Sequence, residues 1–177
     1  GKWINSPGRT LLNKVKNDLE VADHLPIIAE DLGFITPDVE KLRKSFKLPG
    51  MKILQFAFDG NEDNPYLPKN IEGENWVAYT GTHDNSTSIS WWKCLDDESK
   101  SRIRDEFKFS DKPSWNLIEI GMKTNANLFI VPIQDILSLD DSCRLNKPGT
   151  TTNNWKWKLN QPLELSLIHI SEPTRLN

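Results

Sequence analysis

The stretch WVAYTGTHDN at residues 76–85 begins as a short apolar run and ends in a cluster of polar and acidic side chains. The stretch PIIAEDLG at residues 26–33 repeats this arrangement, with Glu30 in the place that Asp84 takes in the other. A continuous apolar or β-branched run predicts a strand that is buried on both faces, as in parallel sheets. Because the carboxyl ends of the strands carry the chemistry in parallel barrels, both carboxylates occupy positions expected of catalysts.

A lone acidic residue after a strand is more often a helix cap or a turn residue than a catalyst. Here Thr36 and Pro37 already supply a cap and a first helical position for the next helix, so Glu30 is not needed for that purpose. Two carboxyl groups that converge on one cleft can act differently, one as a protonated general acid and the other as an ionised group that stabilises positive charge. The pair therefore favours chemistry at a glycosidic bond.

Strands and helices are predicted to alternate along the chain. Apolar runs predict strands at 27–29, 52–58, 76–79 and 128–131, and helical character is predicted for 9–19, 36–46, 86–95, 97–107 and 114–125. A long polar, proline-containing loop separates the second and third strands and is expected to be functional or to lie over the cleft. Four strands are half of the eight in a (β/α)₈ barrel, and 177 residues fall short of the about 250 that a whole barrel typically needs.

Composition excludes several classes of function. The net charge of −3 argues against nucleic acid or an anionic membrane as the principal partner, because both require a basic surface. No apolar stretch approaches the roughly 20 residues of a membrane span, and the N-terminus lacks a basic-then-apolar signal pattern. Two cysteines predict neither a disulfide framework nor a metal site, so a reducing cytoplasm is expected. Seven tryptophans fit a carbohydrate-binding surface.

The chain resembles the amylomaltases, which are 4-α-glucanotransferases also called disproportionating enzymes. The resemblance runs from about residue 1 to about residue 159, and its motifs are long and occur in the family's order. The matching stretches are IAEDLG at 28–33, LPGMK at 48–52, QFAF at 55–58, NPYLP at 64–68, YTGTHDN at 79–85, VPIQD at 131–135 and RLNKPG at 144–149.

The resemblance implies a retaining transferase that moves α-1,4-glucan segments to the 4-hydroxyl of an acceptor sugar, with no cofactor and no metal. Glu30 matches the family's general acid/base, and Asp84 matches its transition-state-stabilising carboxylate. The family's aspartate nucleophile, in an arginine-x-aspartate-histidine-phenylalanine stretch, has no match here. Retaining transfer passes through a covalent intermediate that forms on this nucleophile. Residues 1–159 are therefore interpreted as the C-terminal half of a (β/α)₈ TIM barrel, which is expected to be inactive alone. An α-glucan hydrolase fragment and a non-catalytic glucan-binding module are the alternatives.

Three residues near these motifs are predicted to contact a maltooligosaccharide substrate. His83 is expected to bind a sugar hydroxyl or to position Asp84, while the two as a metal pair lack further ligands at fitting spacing. Phe56 and Phe58, two apart on a predicted strand, should share one face, where they pack in the core or stack on a glucose ring. Gln55 points the opposite way.

Three more predicted contacts lie in loops. Asp59 and Asn64 line the cleft or form turns in the long loop. Asn146, with Arg144 beside it, orients either the substrate or the last barrel loop. Trp155 and Trp157 are as consistent with sealing the barrel bottom as with binding glucan.

Residues 160–177 form an atypical tail. From about residue 165 the sequence LSLIHISEPTRLN matches nothing in the family and indicates translated sequencing-adapter sequence, which is excluded from fold reasoning. The alternative is an ordinary short C-terminal extension. His169 is therefore given no functional role.

Overall fold

The computed structural model describes residue 4 and residues 6–160, so the predicted tail, apart from residue 160, lies outside the described part. Three short strands and six α-helices are found in this part. The strands are β1 (Gly50–Ile53), β2 (Trp76–Tyr79) and β3 (Leu128–Ile130). The helices are α1 (Gly8–Asp18), α2 (Pro37–Ser45), α3 (Ser88–Cys94), α4 (Asp97–Phe107), α5 (Pro113–Met122) and α6 (Ile133–Ile136).

The three strands form one parallel sheet in the order β1-β2-β3. Gly50 pairs with Trp76, and Val77 pairs with Leu128. Parallel neighbours need long crossover connections, and α3, α4 and α5 provide the one between β2 and β3. This arrangement confirms the predicted α/β class with a parallel sheet, and it brings the carboxyl ends of all three strands to one edge.

The main hydrophobic core lies between the turn after β1 and helices α3 to α5. Phe58 is its centre, with ring centroids 5.0 to 5.6 Å from those of Trp91, Phe107 and Phe109. Aromatic side chains bury large areas and prefer such tilted or edge-to-face packing. The core therefore fixes the end of β1 against the helices that follow β2. Its buried members are Leu54, Ala57, Phe58, Leu67, Trp92, Ile103, Phe109 and Leu117.

Two of the four predicted strands are wrong in type or extent. Residues 27–29 form no strand, because among the described residues the segment makes one backbone bond to the sheet region, from the Ala29 amide to the Pro49 carbonyl at 2.8 Å. The predicted strand 52–58 ends at Ile53, and residues 54–56 form a 3₁₀ turn. Phe56 and Phe58 consequently do not share a face: Phe56 is exposed and Phe58 is buried.

The predicted helices are all present within a few residues of their expected ends. Thr36 occupies the N-cap position of α2, and Pro37 is its first residue, but the Thr36 side chain makes no capping hydrogen bond. Within the part of the chain that the structure describes, no helix has the length and apolar character to cross a membrane.

The sheet leaves apolar side chains uncovered at its β3 edge. Leu128 is 47% exposed and Ile130 is 38% exposed, although both lie on a strand of the sheet. Exposed apolar edge strands recruit other chains, and a charged side chain on the edge opposes this.

We therefore expect the isolated 177-residue chain to self-associate, and Leu128→Lys to shift most of it to monomer in sedimentation velocity. Met122→Lys, which changes an exposed apolar residue on α5 instead, should leave association unchanged; equal effects of the two would contradict edge pairing.

Candidate active site

A cleft of about 660 Å³ lies at the carboxyl ends of the three strands. Met51, Tyr79 and Ile130 contribute from the strands themselves, and the rest comes from the segment before β1, the loops that follow the strands, and α6 with the segment after it. Glu30 and Asp84, the two predicted catalysts, both line this cleft. The other predicted residues that line it are Phe56 and His83.

Glu30 is held at the cleft by its neighbours in the chain. On one side the Ala29 amide is bonded to Pro49, and on the other side the Asp31 carboxylate accepts a hydrogen bond from the Met51 amide at 2.7 Å. Asp31 also pairs with the buried guanidinium of Arg43, at 3.2 Å. Glu30 itself is exposed. Its backbone is therefore fixed by β1 while its carboxyl group faces solvent in the cleft.

Among the described residues, the carboxylate of Asp84 has two side-chain contacts. The Asn146 amide donates to Asp84 Oδ1 at 2.5 Å, and His83 Nε2 lies 3.3 Å from the same oxygen. About half of the Asp84 side chain is exposed, at 49%. Because both contacts use Oδ1, the second carboxylate oxygen is the one left to face a ligand. Trp155 extends this group, since its ring centroid lies 5.0 Å from that of His83.

The loop that carries Asp84 is anchored at both of its ends by one buried carboxylate. Thr80, directly after β2, donates its hydroxyl to Asp135 Oδ2 at 2.5 Å, and the amide of Ser88, the first residue of α3, donates to Asp135 Oδ1 at 2.7 Å. Asp135 is 1% exposed. Within the loop, the Gln55 amide donates to the Ser86 carbonyl at 2.9 Å. These bonds define the path of the chain around His83 and Asp84.

A family model described as 4-alpha-glucanotransferase matches residues 1–164 of this chain. The chain belongs to the 4-alpha-glucanotransferase family. A 4-alpha-glucanotransferase of Thermus thermophilus is 42% identical, over 96% of this chain and 35% of that protein. The chloroplastic/amyloplastic 4-alpha-glucanotransferase DPE1 of Arabidopsis thaliana is 45% identical, over 90% of this chain and 27% of that protein.

A solved structure of this family gives the same fold. Amylomaltase from Streptococcus agalactiae in complex with acarbose is 32% identical, with a TM-score of 0.83 over 94% of this chain and 33% of that chain. The chain therefore spans about a third of the length of the relatives it matches.

Four of the predicted substrate contacts do not line the cleft in the described part of the chain. Asn146 reaches the site through Asp84, and Gln55 is buried beneath the 81–88 loop. Asn64 is buried too, where its amide donates to the Phe56 carbonyl at 2.8 Å. Asp59 is exposed in the long loop, where the Asn61 amide donates to its carboxylate and lowers the pKa of that group.

The sequence patterns did not predict Asp135 or Tyr79 as site residues, although the structure places both at the cleft. Asp135 had a visible signal: it follows the apolar run of β3 much as Glu30 and Asp84 follow theirs. Burial raises the pKa of the Tyr79 hydroxyl, which therefore remains a neutral hydrogen-bonding group. Among residues 4 and 6–160, no group of three or more His, Cys, Asp or Glu side chains is placed to hold a metal ion.

Replacement of the buried carboxylate should lower stability sharply. Asp135→Ala would leave the Ser88 amide and the Thr80 hydroxyl buried without their partner, and each such group costs about 1–3 kcal/mol. We expect a loss of at least about 2 kcal/mol in the free energy of unfolding of the complete protein, measured from denaturant midpoints.

Asp140→Ala is the matched control for that substitution. Asp140 also accepts one amide and one hydroxyl hydrogen bond, both from Ser142, but it is exposed, so that water can replace the lost acceptor. Asp140→Ala should therefore lower the free energy of unfolding less than Asp135→Ala does. Equal destabilisation by the two variants would show that Asp135 is no special anchor.

Proposed function

We propose that the complete protein to which this chain belongs is a 4-α-glucanotransferase. It cleaves an α-1,4-glucan, retains the donor segment covalently, and passes that segment to the 4-hydroxyl of an acceptor sugar. The observation that supports this most directly is the convergence of Glu30 and Asp84 on one cleft, in a chain whose family carries this activity in its name. The acarbose complex of the Streptococcus agalactiae relative supports an α-glucan as the substrate class.

Glu30 is proposed as the general acid/base. It protonates the departing glycosidic oxygen in the first step, and in the second step its carboxylate takes the proton from the incoming 4-hydroxyl. Exposure in the cleft suits this role, because the group must exchange its proton with successive sugars.

Asp84 is proposed as the ionised carboxylate that stabilises the oxocarbenium-like transition state. The hydrogen bond that the Asn146 amide donates occupies Oδ1 of this carboxylate. The remaining oxygen can then accept hydrogen bonds from sugar hydroxyls. Phe56 and His83, which line the same cleft, are proposed to contact the glucose rings.

For the domain organisation, we propose that residues 1–159 form the C-terminal half of a (β/α)₈ barrel and that residues 160–177 are an atypical tail. The parallel sheet, its uncovered β3 edge and the partial coverage of the relatives support this proposal. The nucleophilic aspartate would then be encoded upstream. A cytoplasmic location is proposed from the two free cysteines.

The isolated chain is expected to have no transferase activity, because the nucleophile is absent from its sequence. Incubation with maltotriose followed by chromatography should yield neither glucose nor longer maltodextrins. The complete protein, assayed in parallel, should produce both. Release of glucose without longer products by the complete protein would favour an α-glucan hydrolase, and binding without any product would favour a glucan-binding module.

The two carboxylates can be distinguished in the complete protein by changing the leaving group. Glu30→Gln cannot donate a proton, so turnover of maltooligosaccharides should fall at least about 100-fold. The rate of the first half-reaction with a glucosyl fluoride, whose leaving group needs little protonation, should fall much less. Asp84→Asn should impair both donors to a similar extent, since charge stabilisation is needed whatever the leaving group. The measurement is the ratio of the two rates for each variant, and selective rescue of Asp84→Asn by the fluoride would mean that the roles are reversed.

A further inference from the structure

The guanidinium of Arg144 contacts the backbone on both sides of the Asn146–Asp84 hydrogen bond. Its Nη2 donates to the Asp84 carbonyl at 2.5 Å, and its Nε donates to the Asn146 carbonyl at 2.7 Å. Its Nη1 donates to Ser86 Oγ at 3.1 Å, and lies 3.5 Å from Asp141 Oδ2. One side chain thus ties the 81–88 loop to the segment that follows α6.

This geometry depends on the chemistry of arginine. A guanidinium presents five N–H donors in a fixed plane and stays charged, whereas a lysine ammonium is a point charge on a flexible stem. Only 18% of the Arg144 side chain is exposed, compared with 49% of Asp84. Asp84 is therefore only partly packed, and Arg144 donates one of the hydrogen bonds that hold it and contacts the backbone of Asn146, which donates another.

We propose that Arg144 is a positioning residue for Asp84. It lines the cleft, but Nε, Nη1 and Nη2 all have acceptors within the protein, so its donors are directed at the loop carrying Asp84. By fixing the main chain of Asp84 and that of Asn146, it fixes the direction of the Asp84 carboxylate. This inference rests on the proposed function, in which that carboxylate stabilises the transition state.

The test is a double-mutant cycle in the complete protein, with radiolabelled maltotriose so that slow turnover is quantified. Arg144→Lys should lower kcat by about 100-fold, the scale expected when a reacting group is displaced by about 1 Å. KM should change less than about threefold, because ground-state binding is retained. In an Asp84→Asn background the same substitution should lower kcat by less than about threefold, since the carboxylate through which Arg144 acts is already disabled.

Arg102→Lys is the matched control. Arg102 also donates to a backbone carbonyl, that of Phe58 at 3.1 Å, but it is outside the cleft and should leave kcat within about threefold of wild type. Equal losses for Arg144→Lys in both backgrounds would overturn the proposal, because the effect would then not pass through Asp84. A loss confined to KM, or an equal kcat loss for Arg102→Lys, would overturn it as well.

A second measurement keeps the test decisive if Arg144→Lys unfolds. Free guanidinium added to folded Arg144→Ala should restore part of kcat by filling the vacated position, and it should not raise the kcat of Arg102→Ala. No rescue of folded Arg144→Ala would contradict positioning by the guanidinium. An inactive wild-type protein would instead overturn the proposed function, and this would be evident before any variant is compared.

Discussion

The site depends on the hydrogen bonds that Asp135 accepts from Thr80 and Ser88. Thr80 directly follows β2 and Ser88 begins α3, so one carboxylate fixes both ends of the loop that carries His83 and Asp84. A buried carboxylate is costly unless its oxygens are hydrogen-bonded, and here each oxygen has a donor. The same requirement makes the geometry specific, because a displaced Thr80 or Ser88 would leave one buried oxygen of Asp135 without its donor.

The two carboxylates proposed as catalysts differ from this anchor in their exposure. Glu30 and Asp84 are exposed in the cleft, whereas the groups that hold their backbones, such as Asp31, Arg43 and Asp135, are buried or nearly so. Buried polar groups that are fully paired make a rigid frame. Exposed carboxylates on that frame can exchange protons and meet a ligand without a change in the fold. Rigidity and access are thus assigned to different residues.

Local signals in the sequence predicted the strands and helices better than they predicted the contacts. The apolar run of β2 appears at its predicted residues, and every predicted helix is present. The predicted strand at 27–29 was wrong, since an apolar segment indicates burial but does not itself provide strand partners. Glu30 and Asp84 were both predicted, because each follows an apolar run. The bond from Asn146 to Asp84 was not, because it joins residues 62 positions apart and only the fold brings them together.

Gly81 shows how the loop constrains its neighbours. A Cβ atom at this position would lie 2.7 Å from the Gln55 amide nitrogen, so any larger residue would have to displace that side chain. Gln55 uses this space to donate to the Ser86 carbonyl, and Ser86 also accepts from Arg144 through its hydroxyl. A polar residue at the end of a strand suggested substrate contact from the sequence, yet its hydrogen bond holds the backbone of the loop. The polar residues around this cleft therefore divide between those that face the open cleft and those that hold the loop carrying them.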